Sequence, residues 1–345
     1  AVIYTVLKDV LVDSYGDPLI SIQLGTIIAA VFIIFYTMLA GLVSVAYTDV
    51  ANGIIIITSF VIAIPIFFIK AGGLEGMAIS FAEMDKNSHM NFWGVYSLMD
   101  VINFCLPSFL LIMGDANMYQ RFFASKDANG AKSATKTLII AVAIAELMII
   151  VAAWIASSMI PDAEVGKYVL IYASHEFLPP FIGAVMMTTI VGIIISTADS
   201  YLLVPTTTLM RDIYLNYFDK DADQKKIVFL SRVLVVVLGI IAYVVSLGFA
   251  KSAGFFERAL YAYTIYGAAI TPSLVAALFW KEATKQGAIT SILVGTITTL
   301  LWKESLFIQK IIPPKIYGSM DEVLPAITLS VFSLVAVSLI TKNKD

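Results

Sequence analysis

Charge is what this sequence lacks most. Only 14% of its 345 residues are Asp, Glu, Lys or Arg, while 59% are apolar; soluble domains carry about 25% charged and about 45–50% apolar residues. Its 22 basic and 25 acidic side chains are too few to give a folded chain of this size a polar surface, which excludes a water-soluble globule. The net charge of −3 offers no basic face to nucleic-acid phosphates. One cysteine, Cys105, excludes an internal disulfide and a cysteine-rich metal centre. The two histidines, His89 and His175, are far apart in polar connectors, where solvated loop histidines are favoured over a metal pair. There is no HExxH, no phosphate loop and no nucleophile–base pairing, so an enzyme is not expected. The chain opens AVIYTVLKDV, without an initiator Met or a secretory leader, and the first residue reads as a cut.

Long uncharged runs are what the sequence has instead. A helix needs about 20 apolar residues to cross a hydrocarbon core about 30 Å thick. Residues 18–48 and 50–69 carry no charge, nor do 101–114, 147–161, 177–198, 233–250, 259–280, 286–302 and 323–341. These runs predict an all-α, polytopic transmembrane bundle, read as one partial transporter domain over 1–345 with about 9 membrane helices. Helices are expected near 1–13 (a stub), 19–40, 43–70, 92–115, 134–160, 178–218, 228–250, 255–279, 284–303 and 321–342, with Gly41 making the second connection tight. The 178–218 segment is too long for a simple span, which predicts projection into water or a bend at Pro205. Basic residues are densest in the connectors at 121–136 and 211–232, which assigns those to the inner face.

A carboxylate at bilayer depth costs at least about 2.5–3.5 kcal/mol, so each needs a partner or a wet cavity. Asp199 follows 22 uncharged residues. Ser196, Asp199 and Ser200 are spaced i, i+3, i+4 and share one helix face. Hard oxygens of this kind suit a small hard cation; a carboxylate capped by its neighbouring hydroxyls is the alternative. Asp49 lies near the inner end of the second helix and Asp100 near an outer helix end, while Glu146 is mid-helix, where packing or a lipid-shielded contact is expected. Pro107 with Gly114, and Gly267 with Pro272, are expected to interrupt their helices, as transporters do around their sites. Tyr261, Tyr263 and Tyr266 cluster beside the second pair, lining a cavity or simply packing.

Four segments resemble the sodium:solute symporter family. They are Ala46-Tyr47-Thr48-Asp49; Gly114-Asp115-Ala116-Asn117 running to Gln120-Arg121-Phe122; Ser196-Thr197-Ala198-Asp199-Ser200 running to Arg211-Asp212-Ile213-Tyr214; and Gly267-Ala268-Ala269-Ile270-Thr271-Pro272 with Phe279-Trp280-Lys281 and Gly287-Ala288. The resemblance implies a LeuT-like inverted-repeat fold whose first helices are missing, the chain beginning late in core helix three. It also implies that Na+, the coupling ion, is held by Ser196, Thr197 and the carbonyl of Ile193, with no other cofactor. A second sodium site would fall on Asp49, Ser196, Asp199 and Ser200. There Asp199 departs from the family's Ser, which implies an occupied second site or a proton-linked step. The Gly-Ala-Ala-x-x-Pro pattern, with Trp280 eight residues after the Pro, resembles the proline branch more than the sugar branch. The sugar branch's helix-six Asn and Tyr fall on Ser108 and Leu111. Those two, with Tyr263, Thr264 and Thr271, are the candidates for lining the solute site. The function implied is Na+-coupled symport of a small organic solute, an amino acid or organic acid before a sugar, in the plasma or inner membrane. A membrane sensor domain of a signalling protein is the alternative, requiring a cytoplasmic signalling domain after the last helix, and the chain ends at Asp345 without one.

Overall fold

The computed structural model describes residues 21–39, 41–161, 168–249, 255–305, 310–313 and 317–342. Among them there is helix and no strand. That is the solution for apolar runs in lipid, where a helix satisfies its own backbone groups. The helices are α1 Ile22–Leu39, α2 Leu42–Lys70, α3 Gly73–Glu83, α4 Leu98–Gly114, α5 Ala116–Phe123 and α6 Ala128–Ser157. They continue as α7 Val169–Phe177, α8 Pro180–Thr208, α9 Gln224–Phe249, α10 Phe255–Phe279, α11 Lys285–Glu304 and α12 Val323–Thr341. Seven helical segments of the described residues are long and apolar enough to cross a bilayer, and Gln23–Leu39 is a shorter apolar helix. This is a multi-pass membrane protein. The helix expected at 1–13 lies outside the described residues.

Several expected boundaries move. The 92–115 helix starts later, at Leu98, because Ser97 and Asp100 form a capping box: each side chain accepts from the other's backbone N–H, the Ser97 amide reaching Asp100 at 2.7 Å. Asp100 is thus a capping residue. Pro107 is carried inside α4 without a break, and Gly267 and Pro272 are carried inside α10. The 178–218 segment is continuous through Pro205, and its last ten residues, Leu209–Phe218, wind as a π-helix. The short helices α3, α5 and α7 were not expected. Glu146 is exposed on α6 among the described residues.

The described chain divides into two compact units, one of Ala1–Phe92 with Phe122–Ser246 and one of Trp93–Arg121 with Leu247–Asp345. In the first, α2 packs against α6 and α8, and α7 against α8. Its core joins Phe60, Phe67, Met77, Phe81 and Met186 with Ala63, Ala152 and Ala156. The small residues let helix backbones approach, which is how membrane helices gain packing without a hydrophobic drive. Gly72 and Gly73 turn the chain from α2 into α3 at φ of 74° and 67°, a left-handed pair that favours glycine. His89 stacks on Phe81 at 5.2 Å and its carbonyl accepts from the Trp154 indole at 2.9 Å. His175 is exposed and pairs with Glu176.

In the second unit, α10 packs against α4, α11 and α12, and α11 against α12. Ser291 and Ser330 bond at 2.9 Å in the buried α11–α12 seam. Asn103 is buried and donates to the Ser319 carbonyl at 3.1 Å, tying α4 to the chain that enters α12. Beside it Asp321 and Glu322 precede α12. Burial raises the pKa of both; Lys303 opposes this, and Asp100 and Glu257 add to it for Asp321. A carboxyl whose folded pKa is raised costs stability once pH exceeds its unfolded value, and that cost vanishes below both values. Asp321→Asn should therefore raise the melting temperature at pH 7 and lose that advantage near pH 4. An advantage independent of pH would mean that burial of the charge is not its cause.

Candidate ion-binding site

The α8 face expected to carry cation ligands packs against α2. Ser196 donates its hydroxyl to Oδ1 of Asp49, so residues 147 positions apart meet across the two helices. Asp199, one turn on, is 1% exposed and Ser200 is 5% exposed. Thr197 donates to the carbonyl of Ile193 at 2.9 Å, which puts two of the expected oxygen ligands side by side. The six residues thus form two adjoining pairs, Asp49 with Ser196 and Ile193 with Thr197, and two buried neighbours on the same helix. The oxygens are carboxylate, hydroxyl and carbonyl, the hard set that suits a small alkali or alkaline-earth cation.

Local sequence explains why these groups can lie at membrane depth. Ser and Thr return their hydroxyls to carbonyls one turn back, so a helix carries them at little cost. Thr206, buried, does so to Leu202 at 2.8 Å. Hydroxyls also bridge helices. Ser59 of α2 and Thr189 of α8 bond at 3.0 Å, and Tyr36 of α1 donates to Thr48 at 3.1 Å, next to Asp49.

Two site neighbours escaped the sequence reading. Asn52 follows Asp49 by three residues on the same α2 face, and its carboxamide lies over Gly192, where a Cβ would meet Asn52 Oδ1 at 3.4 Å. Gly192 stands four residues before Ser196. The signal was the i, i+3 spacing from Asp49, which draws notice only once Asp49 is known to face α8.

The expected solute-lining residues belong to the second unit. Ser108 and Leu111 are half-buried on α4, three residues apart. The Ser108 hydroxyl points back to the Phe104 carbonyl at 3.5 Å. Tyr263 is half-buried on α10, whereas Thr264 is 1% exposed and Thr271 is 3% exposed. Thr271 donates to the Leu110 carbonyl at 2.6 Å, which brings it to α4 next to Leu111.

Residues 19–295 match the profile described as the Sodium:solute symporter family. The chain is 26% identical over 332 residues to the osmoregulated proline transporter OpuE of Bacillus subtilis, covering 93% of this chain and 64% of that protein. It is likewise 26% identical over 309 residues to the sodium/proline symporter of Escherichia coli, covering 83% and 58%. The chain thus spans less than two thirds of the length of these curated relatives. Among solved structures, the substrate-bound outward-open state of a Na+-coupled sialic acid symporter, described as revealing a novel Na+-site, aligns with a TM-score of 0.71 at 16% identity, over 100% of this chain and 70% of that one. At that identity the likeness shows the shared fold.

Proposed function

We propose, from the premise that this chain belongs to the sodium:solute symporter family, that it forms part of a Na+-coupled secondary active symporter for a small organic solute. An amino acid of the proline kind is favoured over a sugar, because the relatives named for a substrate at 26% identity are proline transporters. The 345 residues act as one transporter domain in this reading. Na+ is a co-substrate, held by Asp49, Ser196, Asp199 and Ser200 and by the Thr197 hydroxyl with the Ile193 carbonyl. Ser108, Leu111, Tyr263, Thr264 and Thr271 line the solute path. No bond is made or broken.

The observation that carries this reading is the Ser196–Asp49 hydrogen bond between α8 and α2. It joins a carboxylate near one end of the apolar span Ser44–Lys70 to the hydroxyl face that spacing selects. A cation bound there draws oxygens from two helices and favours the conformation in which those helices stand together. Ions shift such an equilibrium only by binding one state more tightly than the other. A Na+ gradient can then drive solute accumulation, because loading and release occur in different states.

The test is uptake into proteoliposomes by the protein expressed from its full reading frame. Radiolabelled proline, other amino acids, carboxylates and sugars are offered under an inward Na+ gradient. One class should accumulate, accumulation should vanish when choline replaces Na+, and Ser196→Ala should raise the half-saturating Na+ concentration about tenfold. A tenfold change corresponds to about 1.4 kcal/mol, at the lower edge of the roughly 1.5–3 kcal/mol that a hydrogen bond to a charged group contributes. Solute binding without gradient-driven accumulation would overturn the symporter reading.

A further inference from the structure

The second unit contains a helix break that the ion site does not use. α4 ends at Gly114, Asp115 is extended at φ −69° and ψ 108°, and α5 begins at Ala116. A break in an apolar segment frees amides at the new N-terminus and carbonyls at the old C-terminus, and each needs a partner. Asn117 N–H bonds the Asp115 carboxylate at 3.0 Å and Met118 N–H bonds the Asp115 carbonyl at 3.1 Å, while Tyr119 N–H starts the helical ladder on the same carbonyl at 3.3 Å. Asp115 therefore serves two of the freed amides. A third, Ala116 N–H, is served from another helix: it donates to the Tyr266 hydroxyl oxygen of α10 at 3.1 Å.

The carbonyl side is held in a related way. Tyr119 donates to the Met113 carbonyl at 3.1 Å, across the break. Thr271 of α10 donates to the Leu110 carbonyl at 2.6 Å. Its hydroxyl lies where a Cβ on Gly114 would be, and a Cβ on Gly267 would meet Leu110 Cβ at 2.7 Å. α10 thus touches the two sides of the break with different side chains. Tyr266 holds the first amide of α5, and Thr271 holds the last full turn of α4. Both contacts are single hydroxyl bonds, and the chain leaves this unit at Arg121, six residues after the break residue Asp115.

We propose that Tyr266 and Thr271 are positioning residues that clamp the α4–α5 break from α10, Tyr266 at the first amide of α5 and Thr271 at the last turn of α4. Releasing the Tyr266 contact loosens the first turn of α5 while α4 stays bound through Thr271. The consequence for transport rests on the symporter reading; the clamp itself does not. Tyr266→Phe removes one oxygen and keeps the ring, and Thr271→Val removes the other while Thr271→Ser keeps it.

The experiment is hydrogen–deuterium exchange on the full-length protein in lipid nanodiscs, paired with uptake kinetics. In Tyr266→Phe the Ala116 amide should exchange at least fivefold faster, with α10 and the first two turns of α4 unchanged. The uptake rate at saturating solute should change at least threefold while the solute KM stays within twofold, since no solute contact is lost. Thr271→Val should speed exchange in Leu110–Gly114, and Thr271→Ser should restore it. Unchanged exchange at Ala116 in Tyr266→Phe, or faster exchange along the whole of α10, would overturn the clamp. If the wild type shows no Na+-dependent uptake, the functional reading fails, and the exchange result still decides the clamp.

Discussion

Asp49→Asn is expected to raise the Na+ concentration for half-maximal uptake about 10- to 100-fold, with the solute KM at saturating Na+ changed far less. The substitution keeps shape and removes charge. Ser196 keeps a neighbour but loses a carboxylate acceptor, and a bound cation loses its ionic partner on α2. Hydrogen bonds to charged groups contribute about 1.5–3 kcal/mol, and each 1.4 kcal/mol is about tenfold, which sets the range. Ser196→Ala should cost less, because Asp49 survives. The two effects should be non-additive, since both substitutions remove the same contact. Glu146→Gln, at an exposed position on α6, serves as the control and should leave Na+ dependence within twofold of the wild type. An Asp49→Asn protein with unaltered Na+ dependence would remove this aspartate from the ion site.

Much of that site could be read before any coordinates. The spacing of Ser196, Asp199 and Ser200 defines a helix face by itself, and the length of the uncharged run before Asp199 puts that face inside the bilayer. Uncharged runs likewise located the long helices, because a bilayer demands them and little else produces them. Three kinds of feature were hidden. Short helices such as α3 and α7 carry polar residues among apolar ones and do not form an uncharged run. The break at Gly114–Asp115 was half hidden: α4 does end at Gly114, one of the two expected interrupters, but it runs through Pro107, the other, and spacing does not show that Asp115 serves the new amides. Finally, partners across helices are invisible to spacing. Nothing in the order of residues pairs Asn52 with Gly192 or Tyr266 with Ala116, because each pair depends on how two helices are set side by side.

Gly295→Ala tests that last kind of feature where the effect on stability should be largest. Alanine normally stabilises a helix by about 1 kcal/mol relative to glycine. Here the sign reverses. Pro272 has no N–H, so the carbonyl of Ala268, four residues earlier, loses its usual helical donor. Gly295 of α11 sits against that carbonyl: a Cβ at 295 would meet the Ala268 oxygen at 2.5 Å, its carbon at 2.9 Å and the Ala269 Cα at 3.1 Å. All three atoms are backbone, and no side-chain rotation relieves the clash. Forcing α10 and α11 apart costs about 1–3 kcal/mol as overpacking, and Ala268 and Ala269, which Gly295 faces, are both buried. The melting temperature in detergent should fall by about 1–4 °C, and Gly295→Leu should abolish folded protein. Pro272→Ala in the same background separates the causes. It returns a donor to the Ala268 carbonyl but leaves the clash in place, so the double variant should stay as destabilised as Gly295→Ala. Recovery to the wild-type melting temperature would mean that the freed carbonyl, rather than the close approach of the two backbones, is what requires glycine at 295.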